Sequence, residues 1–217
     1  MSFRRWTAGP LLAALLPLCA CAARAQTPVD TTGLLPAGYG TLSIDDITVL
    51  LSTDVLDIRF VPLDERVLRL AKPSVDSSMD QLIQQYRAQI QEASTRNGIS
   101  APGLALITFY SRQTGTRFEP QDYSVLAPGR EYRPVAVIPY TSNFNNGQLD
   151  LRQRASAIYV FEEPLPVETN FGVRYGSTTS TDAWSGIRVK LDREKTRVIS
   201  RSGQQATRNL PDSVPQH

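Results

Sequence analysis

Residues able to do covalent or metal chemistry are scarce in this chain. The 217 residues include one histidine, His217, and two cysteines, Cys19 and Cys21. A Ser-His-Asp or Cys-His relay needs an imidazole in the folded body to take the nucleophile's proton. His217 instead follows a polar, proline-bearing stretch, SGQQATRNLPDSVPQH, which predicts a disordered tail over residues 202–217. Zinc sites are built from Cys, His and carboxylate ligands, and neither cysteine falls in the expected domain. The chain has no G-x-G-x-x-G, no Walker loop and no S-x-x-K. These residues imply no metal and no cofactor.

Carboxylates could still act. Glu162-Glu163 in YVFEEPLP is the most suggestive pair, because glycoside hydrolysis needs two acids. Neighbouring strand residues point to opposite faces, however, so these two cannot work together. Asp45-Asp46 and Asp64-Glu65 read as a turn and a helix start. Calcium needs several clustered oxygen ligands, and no D-x-D-x-D run occurs. Most aromatic residues read as core. Tyr140 and Phe144, which flank the polar TSN and NNG segments, are the candidate exposed binding residues, and Trp184 reads as a core anchor.

The cysteines lie in MSFRRWTAGPLLAALLPLCACAARAQ. Arg4 and Arg5, the apolar run Leu11–Leu18 and Ala23-Arg24-Ala25 form the three parts of a secretory signal peptide over residues 1–25. The run is far short of the ~20 apolar residues that span a bilayer. A second reading competes: Leu18-Cys19-Ala20-Cys21 resembles a bacterial lipobox, with Cys21 as the acylated residue. Loss of residues 1–25 removes Arg4, Arg5 and Arg24, taking the 23 basic residues to 20 against 21 acids, a net charge of −1. That balance disfavours nucleic acid as a partner and offers no polybasic membrane handle.

The elements that must position any site follow from periodicity. Residues 26–40 are rich in Thr, Pro and Gly and predict a flexible linker. A single domain is expected over 41–201. IDDITVLLS and VLDIRFV alternate with period two and predict a hairpin. PLDERVLRLAKP predicts a short helix ended by Pro73. Met79, Leu82, Ile83, Tyr86, Ile90 and Ala93 recur at helical spacing, predicting a docked helix over about 78–96, capped by Ser77 or Ser78. LALITFYS (104–111) is continuously apolar and predicts a central strand. Pro134 in EYRPVAVIPY predicts an edge or a bulge. Short strands then recur to residue 175, and Ala183, Trp184, Ile187, Leu191 and Val198 predict a closing helix over about 182–200.

The order TRFEPQDYSVLAPGREYRP, then SAIYVFEEPLPVETNFGVRYG, resembles the immunoglobulin-like domains of small secreted or lipid-anchored bacterial proteins. The resemblance covers about 104–176 and rests on strand and turn signatures. It implies a fold and a location, and carries no catalytic residues. The expected class is therefore α+β: an immunoglobulin-like antiparallel β-sandwich with the two helices added. The expected function is a periplasmic or extracellular cell-envelope binding or structural module without catalysis, its partner an envelope protein or polysaccharide. The alternative is a small carboxylate-dependent hydrolase or carbohydrate-active protein. Intact mass of protein isolated from its native envelope tests the leader: a chain starting at Gln26 and lacking both cysteines is expected, and a diacylated or triacylated Cys21 would instead put it on a membrane.

Overall fold

The first period-two runs form a hairpin. β1 (Val49–Ser52) pairs antiparallel with β2 (Leu56–Pro62), with Val49 opposite Phe60 and Leu51 opposite Ile58. The structure, a computed structural model, describes residues 34–208, which belong to one compact unit. The predicted signal peptide, Cys19, Cys21 and His217 lie outside the described residues.

Along the chain follow α1 (Glu65–Leu68), α2 (Pro73–Arg96), β3 (Gly103–Ser111), β4 (Thr116–Arg117), β5 (Tyr123–Ala127), β6 (Arg130–Tyr132) and β7 (Pro134–Pro139). Then come β8 (Gln148–Leu149), β9 (Arg154–Phe161), β10 (Gly172–Tyr175), β11 (Thr178–Ser180) and α3 (Ser185–Arg208). One sheet has the order β1-β2-β3-β9-β7, a second β11-β10-β5-β6, and β4 pairs with β8 alone. Every paired strand is antiparallel. The class is α+β.

β3 is central, as its continuous apolar run implies, and is held between β2 and β9. Its alternate residues serve two cores. Ala105, Ile107 and Phe109 join Phe60, Tyr159 and Phe161 in the core shared with the second sheet. Rings meet across that core: Phe60 stacks on Tyr123 with centroids 5.7 Å apart, and Phe109 lies 5.5 Å from Tyr175. Leu104 and Leu106 face the other way, with Ile158 and Val160 of β9.

That second face is covered by α2. Leu82 and Ile90 are buried on it, and Met79, Ile83 and Tyr86 pack half-buried beside them. Each large buried side chain contributes ~1.5–3 kcal/mol of transfer free energy, so the helix depends on the sheet beneath it. The helix starts five residues before its predicted start, at Pro73. Proline at the first helical position needs no N–H partner and has a suitable φ, so Pro73 opens α2 rather than ending the short helix. The predicted Ser77 or Ser78 cap is therefore not used.

The segment EYRPVAVIPY switches sheets. β6 belongs to the second sheet, while β7 is an edge of the first, with a register shift between Pro134 and Ala136. Proline lacks a ladder donor, which accounts for both features. Trp184 stacks on Phe171 at 4.8 Å, and its indole N–H donates to the Val167 carbonyl at 2.8 Å. It is fully buried.

Both ends of the domain differ from expectation. The predicted linker is ordered at its end: Leu35 and Tyr39 pack half-buried on the core. Gly40 lies so near Leu70 that a Cβ would come within 2.3 Å of its carbonyl carbon. α3 runs to Arg208, past the predicted end at 200 and into the predicted tail. The two ends hold each other. Glu194 of α3 is fully buried and accepts from the Thr41 N–H at 3.0 Å, the Thr41 hydroxyl at 2.7 Å and the Arg201 guanidinium at 2.8 Å. Arg201 also donates to the Tyr39 carbonyl at 2.8 Å. Asp46 caps its own turn through Ser43 and receives Lys190 of α3 at 3.0 Å.

Burial raises the Glu194 carboxyl, but hydrogen bonds from Arg201 and Thr41 outweigh it and hold the group below the usual range. Hydrogen bonds from Ser43 and Lys190 bring Asp46 down to about 2. A depressed carboxyl pKa adds stability above the unfolded value, and that stability is lost as pH falls through the folded value. Both groups therefore stabilise the domain at pH values above the ordinary carboxyl range, and the contribution is lost as pH falls through the folded values, that of Asp46 lying at about 2. Glu194→Gln should cost ~1–3 kcal/mol at pH 7 and flatten the acid side of the stability profile, read from denaturant melts at several pH values. Leu82→Ala should cost ~2–5 kcal/mol, while exposed Gln84→Ala should stay within ~0.5 kcal/mol. Equal melts of those two variants would mean that α2 is not held by its apolar face.

Candidate functional site

The outer face of the second sheet carries a polar cluster. Val125 of β5 and Val173 of β10 are fully buried, so Ser124 and Arg174 project from the opposite face. These two are register partners. Glu131 of β6 lies beside them, opposite Leu126, and Arg133 follows one alternation later. The Arg174 guanidinium contacts the Glu131 carboxylate. Arg133 donates to the same carboxylate through Nε at 3.2 Å. With Gln121, Asp122 and Gly176 these side chains line a cleft of about 210 Å³.

Burial pushes Glu131 up, but Ser124, Arg133 and Arg174 together bring it below its ordinary value. The Ser124 hydroxyl is buried, the residue being only 3% exposed, and it lies near enough to Glu131 to favour the ionised carboxylate while missing good hydrogen-bond geometry. That is uncommon, since most buried polar side-chain atoms are paired. Tyr123 Oη is also buried without a partner, but on the core side of the same strand.

Asp122 ends the turn Pro120–Asp122, which both sheets fix. Tyr159 of β9 donates to the Pro120 carbonyl at 2.9 Å. Tyr175 of β10 accepts from the Glu119 N–H at 2.8 Å. The Gly176 N–H donates to the Asp122 carbonyl at 3.3 Å, with Gly176 at φ 55°, a region glycine occupies without strain. Burial raises the phenols of Tyr159 and Tyr175, so both stay protonated at neutral pH. Asp122 also lines a second, shallower cleft of about 580 Å³ with Arg117, Glu119, Asn146, Gln148 and Tyr175.

The residues singled out in the sequence fall elsewhere. Tyr140 is 47% exposed and meets Tyr86 edge-on at 6.1 Å. Phe144 is not exposed: it is 4% accessible and packs against Phe118 at 5.3 Å and Phe109 at 6.2 Å. The turn Phe144–Asn146 sends this ring back into the core, leaving the asparagines outside. Tyr140 and Phe144 thus share no surface. Glu162 is exposed, while Glu163 pairs with Arg130 at 2.8 Å. Asp64 caps α1 and holds Arg66 at 2.6 Å, and Asp45 is an exposed partner of Arg59. Among the described residues, no three His, Cys, Asp or Glu side chains converge as metal ligands, and no helix is long and apolar enough to cross a membrane.

The sequence alone did not mark the cleft. Its only signal is the outward position of Ser124, Glu131, Arg133 and Arg174 on alternating strands, and which strands pair is set by the fold. Comparison with protein-family models, curated proteins and solved structures finds no match for this chain.

Proposed function

We propose that this chain is an exported bacterial cell-envelope module that binds or holds together other envelope components without catalysing a reaction. Its recognition surface is the polar cleft between β5, β6 and β10, and its partner is an envelope protein or polysaccharide. The observation that carries the reading is the engagement of Glu131 by two guanidinia. A glycosidase acid must hold a proton at working pH through a raised pKa, and Glu131 is held ionised. Ion-paired groups on a rigid sheet suit recognition better than proton transfer. Export follows from the leader over residues 1–25, with lipid anchoring at Cys21 as its variant.

The finer fold assignment belongs to the same proposal. Ring contacts between the two sheets support a β-sandwich. The immunoglobulin-like subclass rests on the strand and turn signatures of 104–176. The order β1-β2-β3-β9-β7, with three consecutive strands side by side, differs from the usual split of immunoglobulin strands between two sheets.

The hydrolase reading keeps one favourable observation, that Asp122 and Glu131 line the same cleft. One experiment separates the two. The full chain is immobilised and exposed to detergent-solubilised envelope, and the same preparation is assayed on chromogenic glycosides and esters. Retention of a defined component that falls at least about tenfold with Arg174→Ala, a loss of roughly 1.4 kcal/mol, is expected, with no turnover. Retention indifferent to Arg174→Ala, or turnover abolished by Glu131→Gln, would overturn the proposal.

A further inference from the structure

We infer that the fold leaves Asn146, rather than Asn97, as a site of spontaneous covalent modification, where the chain closes a succinimide with Gly147 and water reopens it to aspartate or isoaspartate. The site stands apart from the binding reading and does not depend on it.

An asparagine carboxamide can be attacked by the backbone nitrogen of the residue that follows. The Gly147 nitrogen gives up its proton and bonds to Asn146 Cγ, the Cγ–Nδ2 bond breaks, and ammonia leaves with the proton. Water then opens the imide ring. Hydrolysis at the former side-chain carbonyl gives aspartate, and hydrolysis at the backbone carbonyl gives isoaspartate, with the main chain rerouted through the side chain. No oxidant or reductant takes part. Glycine in the attacking position has no Cβ to crowd the ring and turns freely, so Asn-Gly pairs are the susceptible ones. The chain has two, Asn97-Gly98 and Asn146-Gly147.

The fold treats the two differently. Asn97 is the C-cap of α2. Its Nδ2 donates to the Ala93 carbonyl at 2.8 Å, which also accepts from the Asn97 N–H at 3.2 Å. The Gly98 N–H donates to the Thr95 carbonyl at 3.1 Å, and the Ile99 N–H to the Ser94 carbonyl at 2.9 Å. These are the paired bonds of a Schellman motif, and they restrain both the carboxamide and the attacking nitrogen. Asn146 is exposed at the end of a single turn, Phe144–Asn146, and its carboxamide has no hydrogen-bond partner among the described residues. The Gly147 N–H reaches the Phe144 carbonyl only at 3.3 Å, longer than the usual range. Rotation about the Asn146 Cα–C bond brings the Gly147 nitrogen to Cγ. It breaks that long bond and loosens the β4–β8 ladder, which has only two residue pairs, while Phe144 stays seated in the core. Exposed bonds of this kind open at the least cost in free energy. The neighbouring asparagines are less open to attack. Asn143 Nδ2 donates to the Arg154 carbonyl at 3.0 Å, and Asn145 is followed by Asn146, whose Cβ crowds the ring.

Conversion changes the shallower cleft, which Asn146 lines with Arg117, Glu119 and Asp122. One cation there faces two carboxylates, and the product adds another carboxylate.

The test ages the full chain in mildly alkaline buffer, one portion folded and one in guanidinium chloride. Peptide mass spectrometry reads the amide-to-acid mass gain at each Asn-Gly pair over time, and labelling by an isoaspartyl methyltransferase reads isoaspartate. In the folded chain Asn146 should convert at least about fivefold faster than Asn97, equivalent to roughly 1 kcal/mol in barrier. In denaturant the two should convert at equal rates, because each is followed by glycine and neither is restrained. Asn146→Gln, which would have to close a larger ring, should remove the signal from its peptide. Equal rates in the folded chain, faster conversion at Asn97, or no conversion at Asn146 while the denatured chain converts would each overturn the proposal. A preference for Asn146 that persists in denaturant would overturn it as well, because the fold would not be its cause.

Discussion

β3 carries Ala105, Ile107 and Phe109 toward one side of its sheet and Leu104 and Leu106 toward the other. β9 does the same with Tyr159 and Phe161 against Ile158 and Val160. A pair of strands apolar on both faces cannot leave either face in water, because each large side chain contributes ~1.5–3 kcal/mol only when covered. Two covers are needed, and the chain supplies two of different kinds. The second sheet closes one face by setting Tyr123 and the neighbouring Phe171 against Phe60. α2 closes the other through Leu82 and Ile90. The polar cleft exists because the second sheet is covered on its inner side alone. Its outer side is then free to display charge, and the tyrosines tying down the Pro120–Asp122 turn place Asp122 at its rim.

Much of this was legible in the residue pattern. The continuous apolar run of β3, the alternation of β1 and β2, the helical spacing of α2 and the edge proline of β7 all report on burial within one element. What escaped depends on neighbours distant in sequence. Pro73 has the same chemistry as a helix stop and as a helix start, and the folded chain uses it as a start, just after the Leu42–Ala71 bridge. Phe144 sits among asparagines that suggest exposure, yet a single turn is enough to aim its ring between Phe109 and Phe118. β11 is three small hydroxyl residues with no period to detect, and it forms because β10 offers a partner edge.

The cleft was the least legible part for the same reason. Ser124, Glu131 and Arg174 come from three strands, and each looks like an ordinary outward residue of its own strand. The buried acid, Glu194, was equally hidden. It sits on a helix whose sequence is full of charges, and its role appears only once Thr41 is brought to it across 153 positions.

That long-range contact has a mechanical meaning. Thr41 and Leu42 precede β1 in the chain, and they are fastened by Glu194 and by backbone bonds between Leu42 and both Leu70 and Lys72. A tension applied to the domain through residues before Leu35 reaches these bonds before it reaches the β1–β2 ladder. The bonds load together, so the segment behaves as a strain relief, and the sheets feel no pull until it gives way. In a force-extension record this is a small early rupture, separate from the unfolding of the sheets and weaker when Glu194 is replaced by alanine.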